Sequence, residues 1–176
     1  MKSNKKAYAA VFGVAILTAL SGSQPLLPAQ HPAAQWNVQV DAIDQGDVKI
    51  EPAFKVAIYE NLLDELAKTK QFKQVLRRGD RNANGLQDLL ILKTTVEKYT
   101  AGSETRRAVT TVSGATKLKV RSQLCTREGQ VILERSIDGN VRFFGGNLRA
   151  THNLAHNVAN AIKQSTLPAA TTSASE

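Results

Sequence analysis

The stretch KLKVRSQL, residues 117–124, alternates without a break: Leu118, Val120, Ser122 and Leu124 point one way, Lys117, Lys119, Arg121 and Gln123 the other. A period of two marks a β-strand with one dry and one wet face. This feature restricts the chain more than any other, because the charged row must stay in water while the apolar row needs a cover. A second strand reads differently. DLLILKTTVEKY begins apolar at four successive positions, Leu89 to Leu92, and ends alternating. That predicts a central strand buried on both faces at its start and emerging towards solvent. After the turn TREG, the segment QVILERSIDGNVRFF predicts an antiparallel return, bent at Asp138-Gly139. WNVQVDAID, with Trp36, Val38 and Val40 on one side, and FKQVLR predict two more strands.

Two helices can supply the cover. Pro52 suits a first helical turn, where its missing N–H would be unpaired anyway. From there Ile58, Tyr59, Leu62, Leu63 and Leu66 recur at helical spacing, with Glu60, Asn61, Asp64 and Lys68 opposite. The segment GGNLRATHNLAHNVANAIKQ repeats the pattern with Thr151, Leu154, Ala155, Val158 and Ile162. The sum is an α+β class: a single layered domain over residues 36–164, with a mostly antiparallel (mixed) sheet of about five strands and two helices packed on one face. The segment AGSETRRAVTTVSGAT reads as two strand ends and a mobile connection, and residues 165–176 as a disordered tail.

Ahead of the domain, Lys2, Lys5 and Lys6 precede an apolar run from Ala7 to Leu20. This is the layout of a signal peptide over residues 1–23, and the run is too short to span a bilayer, which takes about 20 apolar residues. Ser21-Gly22-Ser23 offers a cleavage site before Gln24, with a second after Ala29, and the proline-rich residues 24–35 read as a linker. Ser23 stands where a lipoprotein would carry its acceptor cysteine, and a hydroxyl cannot replace that thiol. The expected product is exported, periplasmic or secreted, and soluble after cleavage, with no transmembrane helix in the mature chain. Cys125 is the only cysteine, so the domain relies on its packed core and not on an internal disulfide.

Loss of the leader's three lysines lowers the formal charge from +8 to +5. What remains is segregated. Residues 41–65 sum to −5 and residues 68–142 to +9, densest at Lys68, Lys70, Lys73, Arg77, Arg78 and Arg81. A basic face attracts polyanions over distance, so these six are the candidate contacts for an envelope protein, an anionic polymer or a lipid headgroup. Nucleic acid is not expected, because the chain is exported and has few aromatics on which bases could stack.

Three constellations bear on chemistry. Asp80, Asn82, Asn84, Gly85 and Asp88 match positions 1, 3, 5, 6 and 9 of a calcium loop, but Ile91 occupies the place of the bidentate glutamate. His152 and His156 share a helix side at the spacing zinc can use, though Asn153 replaces the catalytic glutamate of the zinc-protease motif and no third ligand is nominated. Cys125 has no histidine placed for it and no Gly-x-Ser-x-Gly elbow occurs, while Gly145-Gly146 before the second helix could hold an anion. A buried thiol without a base is inert.

The order of elements resembles a family of small bacterial exported proteins, many of them lipoproteins, known as a domain of unknown function. The matching pieces are the first helix followed by FKQV, the strand DLLILKTTV, the Gly102 to Arg107 segment, SGATKLKVRSQL and the turn EGQVI. This chain departs from that family at Ser23 and at CTREG, where relatives carry a lipobox cysteine and often an acidic residue with Thr-Gly. The architecture is also similar to the amino-terminal domain of the TolB translocation protein and to penicillin-binding-protein activator lipoproteins. That resemblance implies a domain that acts by binding partners, with no catalytic residue to carry over. The resulting expectation is a non-catalytic binding or scaffolding protein of the envelope, not an enzyme, needing no cofactor. The alternative is a metal-binding protein or metal-dependent hydrolase using His152 and His156.

Overall fold

The alternation of KLKVRSQL becomes strand β4 (Lys117–Thr126), and its apolar row faces a layer of two helices. The computed structural model describes residues 36–103, 115–141 and 147–170. The leader and linker, most of the Gly102 to Arg107 segment, Gly145-Gly146 and residues 171–176 lie outside the described residues.

Among the described residues, five strands form one sheet in the order β2-β1-β3-β4-β5. They are β1 (Trp36–Val40), β2 (Phe72–Arg77), β3 (Leu89–Thr100), β4 and β5 (Val131–Asp138). β1 runs parallel to both β2 and β3, whereas β3, β4 and β5 are an antiparallel meander. The sheet is therefore mixed. The crossover from β1 to β2 is helix α1 (Pro52–Thr69), and α2 (Arg149–Lys163) follows the meander. Pro52 opens α1, and Lys70 closes it in the left-handed region at φ 54°, its N–H donating to the Ala67 carbonyl.

Both helical stripes lie where their periodicity puts them. Ile58, Leu62 and Leu66 of α1 and Leu154, Val158 and Ile162 of α2 are buried against Val38, Val40, Leu90, Leu92, Leu118, Val120 and Leu124. Asn61 joins the helices through a 2.8 Å bond from Nδ2 to the buried Thr151 Oγ1. β3 behaves as its composition predicts. Leu90, Leu92 and Val96 enter this main core, and Leu89 enters a second, smaller one on the other face with Leu76, Ala83 and the half-buried Leu86. The cover there is the loop after β2, which contains a 3-10 turn at Arg81–Ala83. Thr94 points into the main core with a hydroxyl that finds no partner.

β5 ends at Asp138, and Gly139 passes directly beneath α2. A methyl group at Gly139 would lie 2.5 Å from the Ala150 carbonyl and 2.7 Å from the Leu154 nitrogen. Glycine is thus required for close approach, not for an unusual dihedral. Beyond α2 the chain continues packed: Leu167 and Ala170 lie on the main core, and Trp36 Nε1 donates to the Pro168 carbonyl at 2.8 Å. These contacts fall in the first part of the segment expected as a tail, where Leu167 has apolar surface to bury.

Candidate functional site

The six cations nominated from sequence do not form one open patch. They run from the end of α1 through β2 into the loop, and this path lies beside the acidic segment that precedes it. Lys68 Nζ meets Glu65 at 2.6 Å, Arg77 meets Glu60 with both terminal nitrogens at 2.6 Å, and Arg78 meets Asp41 at 3.3 Å. Lys73 pairs with Asp88. Among the described residues, Lys70 and Arg81 are in no ion pair. The Arg77 guanidinium holds the Glu60 carboxyl below its usual range, against a smaller opposing effect of burial. Charge separated along the sequence is recombined by the fold.

Asp88 is the hinge of a second polar cluster. Its Oδ2 takes Lys73 and its Oδ1 accepts from Asn37 Nδ2 at 2.9 Å, so its carboxyl is held low, chiefly by the lysine. Asp80, at the other end of the calcium-like stretch, accepts the Asn82 N–H at 2.9 Å and caps the 3-10 turn. The loop uses its acids to hold itself over the second core. Arg127 of the β4–β5 turn adds a 2.6 Å bond to the Ala83 carbonyl.

His152 and His156 do share a side of α2, and both rings are about half exposed. The structure adds a residue that sequence reasoning missed. Glu65 of α1 has a buried side chain, and its carboxylate lies 3.1 Å from His156 Nδ1 and 3.9 Å from His152 Nδ1. Asn160 Nδ2 lies 2.9 Å from His156 Nε2. One tautomer satisfies both contacts, with Nδ1–H donating to Glu65 and Nε2 accepting from Asn160. Lys68 first, then His156, lower the Glu65 pKa, while burial opposes them. The sequence signal was available: Glu65 adjoins the stripe of Leu62, Leu63 and Leu66. Among the described residues, no group of three or more His, Cys, Asp or Glu is arranged to hold a metal ion. A shallow groove beside the histidines is lined by Asn140, Asn153 and Asn157. Asn153 and Asn157 spend their amide donors on the carbonyls of Asn140 and Asp138.

Cys125 is buried in β4 between Ile91 and Val131, on a strand register that brings no histidine to it. A larger groove lies at that end of the sheet, over Trp36 and Leu89, walled by Leu86, Gln87, Arg127 and Glu128.

The wet face of β4 is continuous with its neighbours. Lys119 stands directly opposite Lys98, Lys117 opposite Thr100, and Gln123 opposite Lys93. Arg121 donates to Glu97 at 3.0 Å, and Glu97 also accepts the Ser136 hydroxyl at 2.7 Å. The hydroxyl first, then the arginine, hold the Glu97 carboxyl low. Among the described residues, no helix covers this face. Among the described residues, no helix is long and apolar enough to cross a membrane.

No family model and no curated protein matches the chain. Solved structures do. A single-substitution variant of the PelC dodecamer from Paraburkholderia phytofirmans is 13% identical, covers 74% of this chain and 90% of its own, and superposes with a TM-score of 0.54. A second PelC structure gives 14% identity, 72% and 87% coverage and a TM-score of 0.53. A Xanthomonas campestris protein of the DUF330 family is 10% identical over 77% of this chain and 86% of its own, at a TM-score of 0.49. At these identities the PelC matches show a shared fold and nothing more.

Proposed function

We propose that the chain is a non-catalytic, exported domain of the bacterial envelope that works by holding a partner, either a protein or a polyanion. One observation carries the reading. The groups nominated for chemistry are bonded in roles that hold the fold: Asp80 caps a turn, Asp88 ties the loop to Lys73 and Asn37, and His156 braces α1 against α2 through Glu65. A reaction centre needs groups that converge on a substrate position, and these three sites are separately engaged with their neighbours. The leader read from sequence gives the proposed address, and the fold shared with the PelC structures adds a fold-level analogy only.

The test is crosslinking in the living cell from the processed protein, with identification of what is captured. A single envelope component recovered at the expected stoichiometry supports the reading. Its failure would be an intact amino terminus on a cytosolic protein, read from the mass of the purified chain, or a turnover assay that is lost on substitution of Glu65 or His156. The matched PelC structures are dodecamers, so the mass of the native particle belongs in the same experiment.

A further inference from the structure

We propose that the face of the sheet opposite α1 and α2 binds a linear acidic polysaccharide along a strip formed by Lys93, Lys98, Lys117, Lys119 and Arg121. This rests on the binding-module reading and gives it a surface and a ligand class. The charge distribution leads there. Residues 41–65 sum to −5 and residues 68–81 to +5, and the pairs Asp41–Arg78, Glu60–Arg77 and Glu65–Lys68 bring them together. Beyond a Debye length of about 8 Å, that side of the molecule is close to neutral. The surplus lies in residues 82–142, with ten bases and six acids, of which seven bases and five acids are among the described residues.

Within that surplus, Lys98 and Lys119 face each other across the β3–β4 ladder. Like charges directly opposed weaken a sheet, and an anion seated between them reverses the sign. Lys117 and Arg121 flank Lys119 at alternate positions, about 6.6–6.8 Å away along the strand. Among the described residues, Lys93, Lys98, Lys117 and Lys119 are in no ion pair, whereas Arg121 shares Glu97 with Ser136.

The shape of the strip selects the ligand. Acids border it on both sides: Asp44, which bridges to Thr95, on the β3 side, and Glu134 and Asp138 on β5. A plane of anionic headgroups would press on both margins, and the exposed large apolar residues, Val56, Val131 and Leu148, are not beside these lysines. An acidic peptide would seek backbone bonds at a strand edge. The β5 edge presents Glu134 and Asp138 to it, and Arg135 Nη1 already occupies the Glu134 carbonyl at 2.9 Å. A glycan has no row of amides to satisfy and can lie flat along the pleat.

The experiment measures binding of the purified, processed chain to polygalacturonate, poly-L-glutamate and phosphatidylglycerol vesicles at two salt concentrations. Polygalacturonate should bind best, and more weakly at the higher salt. Each lysine near an anionic surface contributes about fivefold, so Lys98→Gln with Lys119→Gln should lose about 25-fold. Lys70→Gln with Arg81→Gln should change affinity less than about twofold, since those cations lie off the strip. The Lys98/Lys119 variant sheds the Lys98–Lys119 repulsion together with the attraction of Lys119 to Asp138 opposite it, so its melting temperature should stay close to the parent's and exclude unfolding as the cause. Equal loss in both variants, or a preference for polyglutamate or vesicles, overturns the assignment. If polygalacturonate does not bind while crosslinking still captures a partner, the strip fails and the binding-module reading stands. If neither gives a signal, both fail.

Discussion

Gly139→Ala sets two effects of opposite sign against each other. Replacing glycine where the backbone is compatible stabilises by about 0.4–1 kcal/mol, because the unfolded chain loses freedom. Gly139 has no positive φ, so that gain is available in principle. The new methyl, however, would sit 2.5 Å from the Ala150 carbonyl and 2.7 Å from the Leu154 nitrogen. Neither atom can rotate away. Restoring an ordinary contact moves α2 off the sheet by about 1 Å, and overpacking of that kind costs about 1–3 kcal/mol. The obstacle is backbone, so the upper end applies, and the net loss is about 2 kcal/mol or more. A domain of this size loses about 2–4 °C per kcal/mol, which makes the shift at least about 4–8 °C. Urea unfolding should show a lower midpoint with an unchanged slope. Gly129→Ala is the control: φ is +90° with nothing within 4 Å, so only the dihedral penalty of about 1–2 kcal/mol remains. An unchanged or raised midpoint for Gly139→Ala would refute the reasoning and mean that α2 does not rest on β5 as described.

Other consequences can be measured on the same protein. Thr94→Val removes a buried hydroxyl without a partner, so stability should rise by about 1 kcal/mol in urea melts. The Glu65 pKa is lowered in the folded state, so its contribution is present above the unfolded value near 4.5 and lost as pH falls through the folded one; the Glu65→Gln variant should show a shallower acid decline below about pH 4.5. Trp36→Phe keeps an aromatic ring but loses the bond to Pro168 and part of the buried indole, and should cost about 1–3 kcal/mol while raising proteolysis after Ser165. Cys125 is buried, so a thiol reagent should label it only at the rate of opening, and denaturant should accelerate labelling steeply.

What could be read from the sequence follows from what is periodic. The rows of β4, the fully apolar entry of β3 and the stripes of α1 and α2 each repeat at the period of their element, and burial follows them. The parallel placement of β1 between β2 and β3 was not readable, since WNVQV carries no mark of its neighbours' direction. Charge was legible in amount but not in location. Lys73 and Asp88 are fifteen residues apart and Arg77 and Glu60 seventeen; the return of the chain from β2 to β3 joins the first pair and the docking of α1 beside β2 the second. The His152–His156 alignment was visible, but its third member arrives from 91 residues upstream of His156.

The bond between Trp36 and Pro168 places the two ends of the described domain side by side, while β1 itself lies between two parallel neighbours. Tension applied across both ends would first part that single bond and peel Leu167 away, at little force. Tension between Trp36 and any point on β5 would have to shear β1 from β2 and β3 together. A tether on one end alone would therefore leave this domain mechanically stiff, and a load through both would unzip it from the rim.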